Sequence, residues 1–196
     1  MVAAWKKRYA TSCEAPSARR RLLEAVWGQI SPSYFGESAF VRKYPNSVDM
    51  RSPARVRAMM ILDTNVLSEL MREAPDAKVI SWLDSQSRTS VWTSATTVFE
   101  IRFGLQIMAA GKRKSLLLEV FEAVLEKIGR RIAPFDDDAA THAADLMASR
   151  QRKGRPLELR DTMIAGIVVA HHATLATRNV VHFEDLSVPV VNPWLA

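Results

Sequence analysis

Four polar side chains that could bind a metal cation stand where short apolar segments of the chain end. Asp63 follows the run MMIL, Glu100 lies in TSATTVFEIRFG, Asp161 opens DTMIAGIVVA and Asn179 follows LATR. Carboxylates gathered in one cleft repel each other and take up protons unless a cation lies between them. Oxygen donors without His or Cys favour Mg²⁺ or Mn²⁺, which can activate water and stabilise a phosphoryl displacement. The predicted chemistry is therefore metal-dependent phosphodiester hydrolysis.

Each of these residues also has a simpler interpretation. Asp63 and Asp161 could each serve only as the N-cap of the helix that follows. Glu100 could be exposed, or could pair with Arg102 or Arg178. The shared location of these residues, beside the ends of apolar segments, favours one site over several unrelated roles.

Short apolar segments alternate with helical patterns through the last two thirds of the chain. We predict strands over 58–62, 90–93, 131–135, 174–177 and 188–191, and helices over 65–72, 76–85, 94–110, 114–128, 136–151 and 161–171. This alternation predicts an α/β fold with a mainly parallel sheet of four or five strands. Ligands of such sheets bind outside the carboxyl ends of the strands, where the polar residues are expected.

Several local features refine these predictions. Ser94, and Thr96 or Thr97, offer N-caps for the helix over 94–110, and Gly111 suits that helix's C-terminus. Lys112–Lys114 are expected to form an exposed turn. A basic segment, SRQRKGRPLELR, runs from Ser149 to Arg160 just before Asp161. It predicts either a phosphate-binding rim or merely a solvated helix end, and the sequence favours neither.

The excess of basic over acidic residues is confined to the first part of the chain. The 196 residues carry a formal net charge of +6, but residues 1–58 hold 11 Lys/Arg against 4 Asp/Glu, whereas residues 59–196 hold 16 against 17. We predict that 1–58 is a basic, poorly packed extension and that 59–196 is the folded domain. The abrupt change of composition also raises the hypothesis that translation starts at Met59 or Met60, in place of a basic arm for RNA.

Cysteine and hydropathy limit the compartment. Cys13 is the single cysteine, so no internal disulfide can form, and no apolar run is long enough to span a bilayer. The N-terminal residues contain no apolar stretch as long as that of a signal peptide. We expect a cytoplasmic protein without membrane contact.

Four motifs in order resemble one family. MILDTNVLSEL at 60–70, TSATTVFEIRFGL at 93–105, RDTMIAGI at 160–167 and LATRNVVHFEDL at 175–186 with VPVVNPW at 188–194 are similar to PIN-domain ribonucleases of the VapC/FitB type, which are toxins of toxin–antitoxin pairs. The resemblance covers essentially all of residues 59–196.

The resemblance implies an α/β/α sandwich and an endoribonuclease that requires Mg²⁺ or Mn²⁺. By position, Asp63, Glu100 and Asp161 would bind the metal, and Asn179 would complete the catalytic set where many relatives carry a fourth acid. Thr64, Asn65 and Thr177 would orient Asp63 or the substrate.

It also implies a homodimer, a VapB-like antitoxin, and operator DNA bound only through that antitoxin. Two rivals remain: a phosphatase of the haloacid dehalogenase type, which expects an acid where Asn65 stands, and an inactive PIN module that binds RNA or a protein.

Overall fold

The protein is described from a computed structural model, which covers residues 59–155 and 158–196. The elements in chain order are β1 (Met60–Leu62), α1 (Thr64–Leu70), α2 (Ala77–Asp84), β2 (Val91–Ser94), α3 (Ala95–Gln106), α4 (Lys112–Lys127), β3 (Ile132–Ala133), α5 (Asp137–Arg152), α6 (Leu159–Ala170), β4 (Thr174–Ala176), a 3₁₀ turn (Val180–Phe183) and β5 (Val190–Val191). The predictions made for residues 1–58 lie outside the described residues.

All five strands are parallel, in the order β3-β2-β1-β4-β5. The chain moves outward from β1 to β2 and β3, then returns to the other side of β1 to add β4 and β5. The strand order therefore reverses between β1 and β4, which is the position where open α/β sheets form a ligand cleft at the strand carboxyl ends.

The helices cover both faces of the sheet, because successive residues of a strand point to opposite sides. Leu62 packs into one buried cluster with side chains of α1 to α4, and Ile61 packs into a second cluster with α5, α6 and Phe183. Two helical layers around a parallel sheet form an α/β/α sandwich. The predicted fold class is confirmed.

Helix α6, which carries Asp161, lies unusually close to α5. A Cβ atom added at Gly166 would overlap the backbone carbonyl oxygen of Ala139 and crowd Ala143. Only glycine permits this approach, so Gly166 fixes α6 against α5 and thereby fixes the depth of Asp161.

Most predicted elements are present, with shifted ends. Ser94 is confirmed as the N-cap of α3, since its Oγ accepts from Thr97 N at 2.9 Å. The prediction for Gly111 is wrong, because α3 ends at Gln106 and Gly111 precedes the first residue of α4. The prediction for Lys112–Lys114 is also wrong, because these residues are not a loop between helices but the first helical residues of α4. None of the described helices has the length and hydropathy needed to cross a membrane.

Candidate active site

Asp63 lies at the reversal of strand order, directly after β1. Its backbone N–H donates to the carbonyl of Ala176 at the end of β4, at 3.0 Å. Its Oδ1 accepts from Thr64 N at 2.7 Å and so caps α1. The N-cap interpretation of Asp63 is therefore correct for one carboxylate oxygen and leaves the other to be explained.

The second oxygen of Asp63 is held by two side chains from different elements. Oδ2 accepts from Thr177 Oγ1 at 2.7 Å and from Asn65 Nδ2 at 2.5 Å. Burial raises the pKa of Asp63 to about 6, although the Thr177 hydroxyl opposes that shift, and the nearby charge of Asp161 adds to it. A carboxylate that is 6% exposed and near another acid, without a cation, has an unfavourable charge at neutral pH.

Glu100 reaches the same place from the second turn of α3. Its Oε2 accepts a short hydrogen bond from Thr64 Oγ1, which links it to the residue next to Asp63. Burial is the main cause that raises the pKa of Glu100, the Thr64 hydrogen bond lowers it, and the charges of Asp63 and Asp161 raise it further. Its other oxygen, Oε1, is buried, accepts no hydrogen bond and lies 3.4 Å from Arg160 Nε.

Asp161 completes the group from the first turn of α6. It is 6% exposed, and its Oδ2 lies 3.0 Å from His182 Nδ1 in the 3₁₀ turn. It is not the N-cap of α6, because that position is Glu158. The N-cap interpretation of Asp161 is therefore wrong, and its burial needs another reason.

Asn179 lies close to Thr177, just after β4. It is exposed, and its backbone N–H donates to Thr177 Oγ1 at 3.0 Å. The Thr177 hydroxyl is thus fixed by three groups, since Asn65 Nδ2 also donates to it at 3.0 Å. Asn179 contributes here by orienting Thr177 through its backbone.

The three carboxylates have the right donor atoms for a divalent cation, but their arrangement in this structure is not that of a formed metal site. Three buried carboxylates, one of them with a buried oxygen that accepts no hydrogen bond, are the ligands that Mg²⁺ prefers. Within the described residues, however, no three acidic, His or Cys side chains are grouped so that they could hold an ion as they stand.

Comparison with known proteins identifies the family. The profile of the PIN domain matches residues 60–187. The chain belongs to the PIN-domain family. Over 137 residues it is 42% identical to the VapC ribonuclease Y4jK of Sinorhizobium fredii, spanning 69% of this chain and 98% of that protein. It is 38% identical to the toxin FitB of Neisseria gonorrhoeae over 137 residues, which span 69% of this chain and 99% of FitB.

A solved relative supports the same assignment. The crystal structure of FitAcB from Neisseria gonorrhoeae superposes with a TM-score of 0.65 at 37% identity, covering 70% of this chain and 100% of that one. The resemblance to VapC/FitB-type PIN domains is therefore confirmed. The roles assigned to individual residues stay predictions.

Two arginines of the basic segment before Asp161 have acidic partners, whereas Arg152, Lys153 and Arg155 are exposed, so both interpretations of the segment, a phosphate-binding rim or a solvated helix end, stay open. Arg150 is buried and binds Asp185 through two hydrogen bonds, Nε to Oδ2 at 2.8 Å and a terminal nitrogen to Oδ1 at 2.5 Å. Arg160 pairs with Glu158 and approaches Glu100. Arg150 therefore has a structural role.

The suggested partners of Glu100 were also wrong, because Arg102 pairs with Glu122. Two contacts of the PIN domain escaped the sequence analysis: Arg160 beside Glu100, and His182 beside Asp161. Neither has a local signal, since each depends on where α6 and the 3₁₀ turn lie against the sheet.

Proposed function

We propose that this chain is the toxin of a toxin–antitoxin pair and acts as a Mg²⁺- or Mn²⁺-dependent endoribonuclease that cleaves RNA phosphodiester bonds. The observation that carries the proposal is the burial of Asp63, Glu100 and Asp161 together at the reversal of strand order, with the pKa values of Asp63 and Glu100 raised. The names of the relatives, a VapC ribonuclease and a FitB toxin, support the reaction class.

The chain's own residues would each have a defined task. Asp63, Glu100 and Asp161 would hold the cation, which when bound supplies water activation and charge stabilisation at phosphate. Thr177 and Asn65 fix the Asp63 carboxylate, and Thr64 bridges it to Glu100. His182 orients Asp161. These hydrogen bonds hold the carboxylates in place before substrate arrives, which limits the reorganisation that binding requires.

The test is cleavage of end-labelled total RNA by the full-length protein, in Mg²⁺ or in EDTA. We expect discrete fragments in Mg²⁺, none in EDTA, and a loss of roughly 100-fold or more in rate for Asp63→Asn, since ligand loss exceeds the cost of losing a supporting residue. Asp76→Asn is the matched control. Asp76 is also an N-cap, of α2, accepting from Lys78 N at 2.9 Å, and it lies outside the site.

Equal loss of activity in both variants would show that capping explains Asp63, and metal-independent cleavage would contradict the cofactor. The second candidate is an inactive PIN module that binds RNA or a protein. The observation in its favour is that the acids are not grouped for metal binding within the described residues. RNA binding without cleavage, together with no Mn²⁺ uptake by calorimetry, would establish it.

A VapB-like antitoxin and a second copy of this chain are the proposed partners. Three exposed apolar side chains follow one another at intervals of four residues: Phe99 and Phe103 in α3, and Ile107 just after it. They are 58%, 43% and 41% exposed, and the two phenylalanine rings stack with their centres 6.0 Å apart. They are not core residues, and an exposed apolar stripe favours a protein contact. The FitAB relative, 38% identical, is bound to a DNA fragment, which supports operator DNA bound through the antitoxin. A cytoplasmic location stays a prediction.

A further inference from the structure

Arg178 differs from the arginines around it in having an aromatic partner instead of a carboxylate. Its guanidinium carbon lies 5.1 Å from the centre of the Trp194 ring, and the residue is exposed. In the part of the chain that the structure describes, Arg178 takes part in no ion pair. By contrast, Arg150 binds Asp185 and Arg160 binds Glu158. The Arg178 charge is therefore available to a ligand.

The backbone of Arg178 is tied directly to the site. Its N–H donates to Asn65 Oδ1 at 3.0 Å, and the amide nitrogen of the same Asn65 donates to Asp63 Oδ2 at 2.5 Å. Arg178 also follows Thr177, whose hydroxyl binds Asp63 at 2.7 Å. One connection runs through Asn65 and the other through Thr177. Together they fix the backbone of Arg178 relative to the carboxylates.

Trp194 is equally well fixed. It follows β5, so it lies at the same carboxyl edge of the sheet as Asp63 and Thr177. Its backbone N–H donates to Asn192 Oδ1 at 3.0 Å, and its ring is partly buried against the core. A guanidinium on a fixed ring loses little freedom when it binds a ligand, and its edge N–H groups remain directed outward for an anion.

A polyanion that approaches three carboxylates needs a compensating positive charge on the flank of the site. Arg160 lies next to Glu100, but its charge is shared with Glu158 and Glu100. We propose that Arg178, supported by Trp194, binds a backbone phosphate of the RNA next to the scissile one. This inference rests on the proposed ribonuclease function and names how that site recognises its substrate.

Salt dependence separates a phosphate contact from a general effect of charge. The affinity of single-stranded nucleic acid falls with salt with a slope of about −0.7 for each phosphate neutralised. The probe is a 5′-fluorescein-labelled 15-nucleotide oligouridylate, and the readout is its fluorescence anisotropy with full-length protein in EDTA between 25 and 200 mM KCl. The basic residues before Met59 are common to all variants and cancel in the difference.

For Arg178→Gln we expect the slope to lose about 0.7 and the affinity at 50 mM KCl to fall roughly tenfold. Arg178→Lys should keep the slope, because it keeps the charge, while losing part of the affinity. Trp194→Leu should also keep the slope and weaken binding, since the guanidinium loses its support; circular dichroism confirms that this variant folds.

Lys112→Gln is the control for charge. Lys112 is exposed and is the first residue of α4. Lys114 Nζ donates to the carbonyl of Gln106, which places this end of α4 beside the end of α3 that is distant from the site. It should change the slope by clearly less than Arg178→Gln. An unchanged slope in Arg178→Gln, or an equal change in Lys112→Gln, would overturn the subsite while leaving the ribonuclease proposal intact. Wild-type protein that binds the probe at no salt concentration would also overturn the subsite, whereas the ribonuclease proposal is decided separately by cleavage of total RNA in Mg²⁺.

Discussion

Two acidic side chains of this PIN domain, the exposed Asp185 and the buried Asp63, have opposite electrostatic surroundings. Asp185 has its own cation, because Arg150 binds it through two hydrogen bonds and holds its pKa below the usual range. Asp63 has only hydroxyl and amide donors, and burial raises its pKa to about 6. The chain does pair a buried acid with an arginine elsewhere, since Glu69 is 2% exposed and lies 3.1 Å from Arg72. Among the described residues Asp63 has no such partner, so we expect a cation from solution to stabilise its charge.

The largest effect on stability should come from breaking the neutralised pair. Asp185→Asn leaves the Arg150 guanidinium, whose side chain is 4% exposed, buried without an opposite charge. Because Asp185 is 39% exposed and solvent screens the pair, we expect the free energy of unfolding to fall by about 2 kcal/mol, measured by urea denaturation at pH 7.5. Glu122→Gln, in an exposed pair with Arg102, should cost less than about 1 kcal/mol. Equal effects of the two would show that solvent already screens Asp185 and that the comparison fails.

Asp63→Asn should have a smaller effect of opposite sign. The folded-state pKa of Asp63 is raised from 3.8 to about 6, so the folded state binds more protons than the unfolded state between those values. The stability that the Asp63 carboxyl contributes to the folded protein is fully present below about pH 4 and is lost as pH rises through 6. In EDTA, the stability of Asp63→Asn relative to wild type should therefore increase by about 1.4 kcal/mol between pH 5 and pH 7.5.

The measurement is urea unfolding of both proteins at the two pH values. Adding Mn²⁺ at pH 7.5 should raise the wild-type unfolding free energy and leave Asp63→Asn nearly unchanged, because the cation supplies the missing charge. A relative stability that does not change with pH would mean that the Asp63 carboxylate is adequately solvated as it stands.

The sequence predicts the neighbourhood of Asp63 well and that of Asp185 poorly. Asp63, Thr64 and Asn65 are adjacent in the chain, so a strand followed by a helix places all three at one strand end. Glu100 follows from the next unit by the same rule. Arg150 and Asp185 are 35 residues apart and meet only because α5 and the 3₁₀ turn lie against the same face of the sheet. A local pattern cannot distinguish this buried arginine from the exposed arginines of its segment.

The lengths of the elements show the same limit. The apolar segment at 131–135 predicts five strand residues, but only Ile132 and Ala133 pair with β2. Hydrophobicity indicates which residues are buried, whereas a strand ends where its neighbour stops offering hydrogen bonds. The role predicted for the Asn179 side chain stays a prediction; the residue is exposed and directly precedes the 3₁₀ turn.

The smallest effect should come from one hydroxyl. Thr177→Val keeps the shape of the side chain and removes the donor to Asp63 Oδ2, which the structure places at 2.7 Å. Because that hydrogen bond lowers the pKa of Asp63, we expect the pKa to rise in Thr177→Val, as measured by carbon-detected NMR of the carboxylate in EDTA. Thr177→Ser keeps the hydroxyl and should match wild type. If Thr177→Ser shifts the pKa and Thr177→Val does not, the methyl packing and not the hydrogen bond controls Asp63, and the contrast with the arginine-bound Asp185 would rest on burial alone.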